Sequence, residues 1–422
     1  MSSSATALPF AVRLPGQLFA MLVFRCAAAL VPAVALEPAV ALVPAAAYAF
    51  AAPPAATVAS TTTADAATVE ASFVTRIRRL TYEGRRAGEG YFSSDGSKLV
   101  FQSEREPGNP FYQIYELDLV TGETRRVSPG MGKTTCSFLR PGTNEILYAS
   151  THHDARSLDL QREELELRAS GRERRYAWDY DPEMELYVAD PETLAPRRLT
   201  HERGYDAEAS YSPDGRWIVF SSTRSGYDAT ETYAGDAAER EKKLETDPAY
   251  FGEIYLMPAE GGEARRLTHV PGYDGGPFFF ADGSRIVWRR FDQNGLVADV
   301  WTMKPDGSDQ RRITDFGAMS WAPWADATGS YILFASNRLG FSNFELYLVD
   351  AEGTKEPVRV TYSDGFDGLP VLSPDGRTLA WTSTRHGEPG GQIFVGEWNH
   401  ERALAAIEAA PPRAGTEGRT SP

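Results

Sequence analysis

The chain has 422 residues, of which 42% are apolar and 24% charged, so it can bury a large core. Its 43 basic and 58 acidic side chains give a formal charge of 43 − 58 = −15. This acidic balance argues against non-specific binding to nucleic-acid phosphates and against docking on an anionic membrane through a polybasic patch. It favours neutral or cationic partners.

Residues 1–52 predict an export signal. Arg25 precedes a run rich in Ala, Val and Leu, and small residues suited to a cleavage site follow, for example Ala49 and Ala51. Glu37 and several prolines interrupt the apolar run, so we do not expect a spanning helix. Residues 53–72, rich in Thr, Ala and Ser, predict a disordered linker. We therefore expect a periplasmic or secreted protein.

Three short phrases recur together between residues 73 and 399 and predict six repeated units. They are a basic-Leu-Thr strand, a turn of the Ser-Pro-Asp-Gly type with the strand after it, and an alternating strand such as EIYLMP at Glu253. The glycines of the six turns are Gly96, Gly142, Gly215, Gly283, Gly329 and Gly376. A unit spans about 46 residues, and two units carry insertions of about 22–27 residues.

Each unit predicts four strands, with the Asp-Gly turn between the first two. A four-stranded unit with a period in the forties is typical of a propeller blade. We therefore predict an all-β fold, a six-bladed β-propeller over residues 73–399. The strand Ile77–Thr81 precedes the first turn, so we expect it to close the ring as the outer strand of the sixth blade. Residues 400–422 predict a short C-terminal helix and a tail.

These phrases resemble the TolB-type propeller repeat, with its Ser-Pro-Asp-Gly turn and Ile-Tyr-x-Met-Asp strand. The resemblance covers residues 73–399 and implies the propeller fold. It also implies a role in envelope protein complexes, because the family includes the periplasmic TolB protein. Residues 1–70 cannot supply the N-terminal α/β domain of TolB, so we expect the propeller without that domain.

Both insertions fall between the second and third strands of a blade, at His152–Glu183 in blade 2 and Arg224–Gly252 in blade 3. Each predicts a helix, around Leu158–Ala169 and Ala237–Leu244. The connections between blades reach the same end of the propeller, which we call the insertion-bearing face. The opposite end, with the turns that join strands one to two and three to four, is the turn face. Function in repeat folds collects where insertions lie, so the insertion-bearing face is the expected binding face.

We expect the first residues of the inner strands to line the channel mouth on this face. Aligning the units on the turn glycine gives the candidate binding residues Glu89, Lys133, Asp206, Glu208, Asp274, Trp321 and Asp367. Crowded carboxylates raise one another's pKa values or recruit a cation, such as a cationic peptide or a hard metal ion. A structural interpretation stays open, in which the carboxylates pair between blades with the recurring arginines Arg105, Arg224, Arg338 and Arg385.

No complete catalytic or metal-binding motif is found in the sequence. His152, His153 and Asp154 are adjacent, but no third zinc ligand follows at a suitable spacing. There is no G-x-S-x-G elbow and no phosphate-binding or dinucleotide fingerprint. Cys26 lies in the predicted signal, which leaves Cys136 in an inner strand and excludes a disulfide framework. We expect no cofactor and no bound metal.

Two hypotheses about function follow. The first is a non-catalytic, monomeric envelope scaffold, not an enzyme, that binds a protein or peptide, cationic in charge, at the insertion-bearing face. The second is a carbohydrate-active lyase or glycosidase that uses paired carboxylates at the mouth. The distance between the carboxyl groups and the openness of the channel distinguish them.

Overall fold

A computed structural model describes residues 63–171, 179–231, 233–387 and 390–414. The predicted signal and residues 53–62 of the predicted linker lie outside the described residues. The described chain forms six antiparallel sheets of four strands each, which is the predicted six-bladed propeller. None of its helices combines the length and apolar content required to cross a membrane.

The strands are numbered in chain order. Blade 1 contains β2 (Ala87–Phe92), β3 (Lys98–Ser103), β4 (Gln113–Asp118) and β5 (Thr124–Arg126). Blade 2 contains β6 (Thr134–Leu139), β7 (Ile146–Ser150), β8 (Glu185–Ala189) and β9 (Pro196–Arg198). Blade 3 contains β10 (Asp206–Tyr211), β11 (Trp217–Ser222), β12 (Glu253–Pro258) and β13 (Arg265–Arg266). Blade 4 contains β14 (Asp274–Phe279), β15 (Ile286–Phe291), β16 (Ala298–Met303) and β17 (Arg311–Arg312). Blade 5 contains β18 (Ser320–Ala325), β19 (Tyr331–Ser336), β20 (Glu345–Asp350) and β21 (Val358–Arg359). Blade 6 contains β22 (Asp367–Leu372), β23 (Thr378–Ser383), β24 (Gln392–Trp398) and β1 (Val74–Arg79).

Blade 6 combines the two ends of the propeller. Its outer strand is β1, which pairs antiparallel with β24, so Val74 lies opposite Trp398 and Arg79 opposite Phe394. The observed strand begins three residues before the Ile77 start expected from the repeat. The inner strands β2, β6, β10, β14, β18 and β22 contact one another in turn around the axis.

In the part of the chain that the structure describes, five helices lie outside the sheets. They are α1 (Thr63–Phe73), α2 (Ser157–Ala169), α3 (Arg224–Tyr227), α4 (Ala237–Thr246) and α5 (His400–Ala409), with 3₁₀ turns at Pro248–Phe251 and Arg385–Gly387. The two insertions supply α2, and α3 with α4, between the second and third strands of their blades. Asp236 caps α4 in a capping box with Glu239.

Helix α1 occupies positions for which we expected a disordered linker, so that prediction is corrected for residues 63–72. The segment is rich in alanine, which favours a helix, and it docks on the propeller. Phe73 is fully buried and lies 6.2 Å from the ring of Trp398. The Glu70 carboxylate accepts hydrogen bonds from the Tyr362 amide (2.7 Å) and from Arg385 (3.0 Å). Docking contacts of this kind are not visible in the composition of the segment.

Apolar side chains from facing sheets fill the space between blades. Trp288, Trp381 and Tyr148 are among the largest fully buried side chains. Each inner strand is interrupted by a β-bulge between its second and fifth residues. The third residue has a positive φ in all six blades, at Glu89, Cys136, Glu208, Gly276, Ala322 and Leu369. Bulges re-aim side chains, and here they build the channel wall.

Candidate functional site in the central channel

The six bulge residues surround one small chamber on the propeller axis. The chamber has a volume of about 20 Å³ and is lined by Glu89, Cys136, Glu208, Gly276, Ala322 and Leu369, together with side chains from the levels above and below. A space of that size holds about one water molecule. Glu89 and Glu208 are the two predicted site residues that the structure brings together here.

Arg289 enters the chamber from the second strand of blade 4. Its Nη2 donates to Glu208 Oε1 at 2.6 Å, and the Gly276 amide donates to Glu208 Oε2 at 2.6 Å. A Cβ on Gly276 would lie 2.2 Å from Arg289 Nη1, so only glycine leaves room for the guanidinium. Burial alone would lower the pKa of Arg289, but the charge of Glu208 more than offsets it and the pKa is raised. The ion pair is therefore a fixed part of the wall.

Glu89 lies opposite, and none of the described residues forms an ion pair with it. Its Oε1 accepts from the Tyr91 hydroxyl (3.4 Å) and its Oε2 from the Cys136 thiol (3.5 Å). Burial, reinforced by the charge of Glu208, raises the pKa of Glu89 to about 7. Burial, followed by the same two carboxylates, also raises the pKa of the Cys136 thiol. The chamber thus holds one paired carboxylate and one carboxyl group that is partly protonated near neutral pH.

An aromatic plug closes the channel below the chamber, toward the turn face. The fifth residues of four inner strands form it: Tyr91, Phe138, Phe278 and Trp324. Their ring centroids lie between 5.2 Å (Phe278 to Trp324) and 6.5 Å (Phe138 to Trp324) apart. The rings therefore close the channel toward the turn face.

Above the chamber, the mouth is covered by aromatic side chains. Tyr273, 3% exposed, and the half-buried Trp321 lie 5.4 and 5.6 Å from the Arg289 guanidinium. Tyr180, at the end of the blade-2 insertion, contacts Tyr273 at 5.0 Å and Tyr205 at 5.3 Å between ring centroids. The blade-2 insertion thus reaches across blade 3 to the entry of blade 4. Trp321, one of the candidate binding residues of the mouth, has a cation of this chain beside it.

The three predicted aspartates do not share one site. Each is fully buried in its own blade, where an arginine neutralises it. Asp206 pairs with Arg224 (2.5 Å) and Asp367 with Arg385 (2.7 Å). The pairing lies within a blade, whereas the structural interpretation placed it between blades. The reason is that the loop after the second strand folds back over the start of the inner strand.

Asp274 is paired by an arginine that sequence reasoning missed. Arg290, the fifth residue of β15, donates from Nε and Nη2 to the two carboxylate oxygens, both at 2.7 Å. Blade 4 has Asp292 where the recurring loop arginine stands in blade 3. Burial raises the pKa of Asp274, although Arg290 opposes the shift. The two other recurring arginines have no buried aspartate to pair with: Arg105 contacts the exposed Glu83, and Arg338 lies over the ring of Phe316.

Lys133 lies off the channel and pairs with the blade-2 insertion. Its Nζ is 2.6 Å from Asp179 and 2.7 Å from Asp181. The strand register makes Thr134 the equivalent of Asp206, and Cys136 the equivalent of Glu208. Alignment on the turn glycine is therefore wrong by one residue in blade 2.

The error has a simple origin in the turn. The blade-2 turn is Arg140-Pro141-Gly142, with glycine third, whereas blade 3 has glycine fourth. Alignment on Pro141 and Pro213 would have identified Cys136. Arg289 could also have been identified from the sequence, because the pair Arg289-Arg290 stands where blade 3 has Ser221 and Ser222.

No protein-family model matches the chain. An uncharacterized protein of Agrobacterium fabrum, Atu1656, is 35% identical over 83 residues, which is 20% of this chain and 27% of that protein. The chain thus spans about a quarter of the length of this curated relative.

Among solved structures, a putative TolB from Agrobacterium tumefaciens matches with a TM-score of 0.50 at 18% identity, over 76% of this chain and 97% of that one. An oligogalacturonate lyase from Vibrio parahaemolyticus matches with a TM-score of 0.46 at 15% identity, over 77% and 94%. The first likeness shows the fold alone, and the second is too distant to carry an argument. The chain has the fold of the TolB-type six-bladed propellers.

Proposed function

We propose that this protein is an exported, non-catalytic propeller that binds a protein or peptide partner at its insertion-bearing face, as an envelope scaffold. The observation that carries the proposal is the distribution of exposed apolar side chains. Among the described residues, seven of the ten large apolar side chains that are well exposed lie on this face: Tyr82, Leu158, Leu165, Val270, Leu296, Leu339 and Phe341. Exposed apolar surface gathered on one face is typical of a protein-binding site.

The densest part of this set lies on blades 4 and 5. Leu296, 66% exposed, and Phe341, 77% exposed, occupy the loops after the second strands of these neighbouring blades. Val270 lies in the connection that enters blade 4, and Leu339 precedes Phe341 in the same loop. Aromatic and aliphatic side chains that a partner can bury supply most of the energy of an interface. We therefore propose that Leu296 and Phe341 anchor the partner.

The closed chamber supports a binding function over an enzymatic one. A glycosidase needs two carboxyl groups about 5–10 Å apart with a sugar between them. The space beside Glu89 and Glu208 holds about one water molecule. One of the two carboxylates, that of Glu208, is already hydrogen-bonded to Arg289. The partner that we infer makes apolar contacts outside the channel, because the aspartates expected to attract a cationic partner are already paired.

A carbohydrate-active enzyme is the second candidate, and the properties of the two glutamates favour it. The pKa of Glu89 is raised to about 7, while Glu208 forms an ion pair with Arg289. Two carboxyl groups in such different environments are the usual arrangement of a general acid and its partner. This activity would require the channel cover, formed by Tyr180, Tyr273 and Trp321, to open.

The location of the protein is part of the proposal. Residues 1–52 are proposed as a cleaved export signal and the propeller as a periplasmic or secreted monomer, peripheral to the envelope at most. N-terminal sequencing of the native protein should find a start within residues 47–71. A start at Met1 or Met21 would contradict export by cleavage.

The binding face is tested by capture from envelope extract with isotope-quantified mass spectrometry. The variant Leu296→Asp with Phe341→Asp removes the proposed anchors. The matched control, Val120→Asp with Trp217→Asp, changes two exposed apolar side chains on the turn face, 83% and 42% exposed. Wild type and control should recover the same partner, and the anchor variant should recover at least about tenfold less of it.

Both variants must first show cooperative unfolding like that of wild type, so that a loss reports binding rather than folding. Equal recovery by all three proteins, or loss in the control alone, would contradict the assignment of the face. Hydrolysis or elimination of a defined oligosaccharide by the purified protein, abolished by Glu208→Gln, would favour the second candidate.

A further inference from the structure

A groove of about 630 Å³ lies between blades 6 and 1 on the turn face, opposite the proposed binding face. Its apolar lining comprises Leu80, Phe92, Leu117, Leu119 and Val395. Three acidic side chains and one basic side chain surround it: Asp95, Asp118, Asp375 and Arg78. The groove is thus an apolar cleft with a net negative rim, at the junction where the two ends of the propeller meet.

At other junctions the chain fills the equivalent space itself. The turn between the third and fourth strands packs on the preceding blade, so that a Cβ on Gly353 would lie 2.8 Å from the Ile313 carbonyl oxygen. A Cβ on Gly307 would likewise lie 3.0 Å from the Leu267 carbonyl oxygen. The turn of blade 1 has its glycine one residue later, and a Cβ on this glycine, Gly122, would meet no other part of the chain within 4 Å. Blade 1 therefore does not close on blade 6 as blades 4 and 5 close on their neighbours.

The outer-strand arginines show the same difference. In blades 1, 2 and 3 an arginine of the outer strand donates to a backbone carbonyl in the turn of the next blade: Arg125 to Pro191 (2.6 Å), Arg197 to Glu260 (3.1 Å) and Arg265 to Asp306 (3.0 Å). By strand register Arg78 is the corresponding residue of blade 6. It is exposed, it lines the groove, and it has no hydrogen-bond or ion-pair partner in the described part of the chain.

The junction between blades 4 and 5 shows what such a groove accepts. There an extended segment that follows α5 lies along the turn of blade 5, with Pro412 paired to Lys355 and the Arg413 amide bonded to the Thr354 carbonyl at 2.8 Å. The Arg413 guanidinium donates to the Ile313 carbonyl and lies 2.7 Å from Asp315. A proline-flanked arginine of this chain therefore occupies an inter-blade site.

One acceptor used by Arg413 has a counterpart between blades 6 and 1. The carbonyl of Ile313 receives Arg413, and the carbonyl of Leu80 stands at the same repeat position. No described group donates a hydrogen bond to the Leu80 carbonyl. The acidic rim adds charge complementarity for an incoming cation, since exposed carboxylates attract a guanidinium across an apolar cleft.

We propose that the groove between blades 6 and 1 binds an extended peptide segment of a partner protein that presents an arginine beside an apolar residue. The arginine donates to the carbonyl of Leu80 within reach of Asp118. The apolar side chain fills the space over Leu117 and Val395. Arg78 donates to a carbonyl of the bound segment, as Arg125, its counterpart in blade 1, does to blade 2. This site is independent of the proposed function, because it lies on the other face.

The probe is a phage-displayed library of random 12-residue peptides, selected on the full chain; enriched peptides are then synthesised with a fluorescent label. We expect enriched sequences to contain an arginine next to an apolar residue or a proline. The test variant Gly122→Leu gives blade 1 the residue that blade 2 carries at the same turn position, where Leu194 has a φ of 58° against 77° for Gly122. It should weaken binding at least about tenfold, since it replaces the buried apolar side chain of the peptide.

The control is Gly142→Leu, at a turn-face glycine with a φ of 84° and equally open surroundings, and it should leave affinity unchanged. A second test variant, Asp118→Asn with Asp375→Asn, should weaken binding by about three- to tenfold and reduce its salt dependence, because exposed charges are screened. The proposal is overturned by a library that yields no enrichment, or by peptides that bind the Gly122 variant as wild type. A concentration-dependent dimer that Gly122→Leu dissociates would also overturn it, since the occupant would then be a second copy.

Discussion

Three of the six junctions between blades carry a buried glutamate–aspartate pair, and three do not. In the first group, the glutamate that begins a third strand lies beside the aspartate that begins the next inner strand: Glu185 with Asp206, Glu253 with Asp274, and Glu345 with Asp367. In the second group the corresponding positions are Gln113 with Thr134, Asp299 with Ser320, and Gln392 with Ala87. Wherever the inner strand begins without a charge, the partner position has no glutamate.

This difference shows that the aspartates belong to the junctions and not to a channel mouth. Two buried carboxyl groups side by side are tolerated only if one holds a proton or each has a cation. The chain uses both solutions. Arg224, Arg290 and Arg385 pair with the aspartates, and Arg198, Arg266 and Arg359 pair with the glutamates. Burial nevertheless raises the pKa of each glutamate to about 7. The junctions of the second group, which we call uncharged because their inner strands begin without a charge, hold at most one carboxyl group, Asp299, and Arg312 pairs with it.

The largest expected effect comes from removing one arginine of a charged junction. Arg224→Ala should lower the free energy of unfolding by about 3–5 kcal/mol, because it leaves Asp206 buried without its cation. Chemical denaturation measures this loss.

The matched control is Arg338→Ala, at the same loop position of blade 5, where the inner strand begins with Ser320. Arg338 is exposed and its guanidinium lies 4.2 Å from the ring of Phe316, so we expect a loss within about 1 kcal/mol. Equal losses at the two positions would contradict the distinction between charged and uncharged junctions.

The raised pKa values of these glutamates predict a pH dependence of stability. The pKa of Glu185, Glu253 and Glu345 is about 7 in the folded chain, above the ordinary 4.5. The folded state therefore binds more protons than the unfolded state between these values. Stability present at acidic pH is lost as the pH rises through 7, on the order of 1–3 kcal/mol for each glutamate. Denaturation at several pH values from 5 to 8.5 should show this decline.

Replacing the three glutamates by glutamine reproduces the residue found naturally at Gln113 and Gln392. The triple variant should show a flatter decline of stability with pH. The loss of the contacts with arginine should change its stability by the same amount at every pH. Glu89, whose pKa is also raised to about 7, should retain its smaller share of the decline. If the stability of wild type and of the triple variant fell equally with rising pH, these glutamates would not be the groups that bind the extra protons in the folded state.

The fold could be predicted from the sequence because each repeat contains a recognisable turn and strand motif. Glycine-containing turns and alternating strands recur six times, and their number determines the number of blades. The chamber could not be read in the same way, because its composition depends on single residues that break the repeat. Arg289 replaces a residue such as Ser221, and the displaced glycine of the blade-2 turn hid Cys136. The burial of Asp206 depends on a loop that folds back over it, a contact that periodicity does not encode.

The smallest expected effect concerns the chamber, where we predict almost no reaction. Cys136 is 3% exposed, and burial together with Glu89 and Glu208 raises the pKa of its thiol. A thiolate is the reactive form, so a chromogenic disulfide reagent should modify this cysteine only when the protein unfolds. With Cys26→Ser as background, labelling should be at least a thousandfold slower than in denaturant, roughly the ratio set by global stability. Rapid labelling of the folded protein would mean that the cover formed by Tyr180 and Tyr273 opens, which would favour the enzymatic candidate over the scaffold.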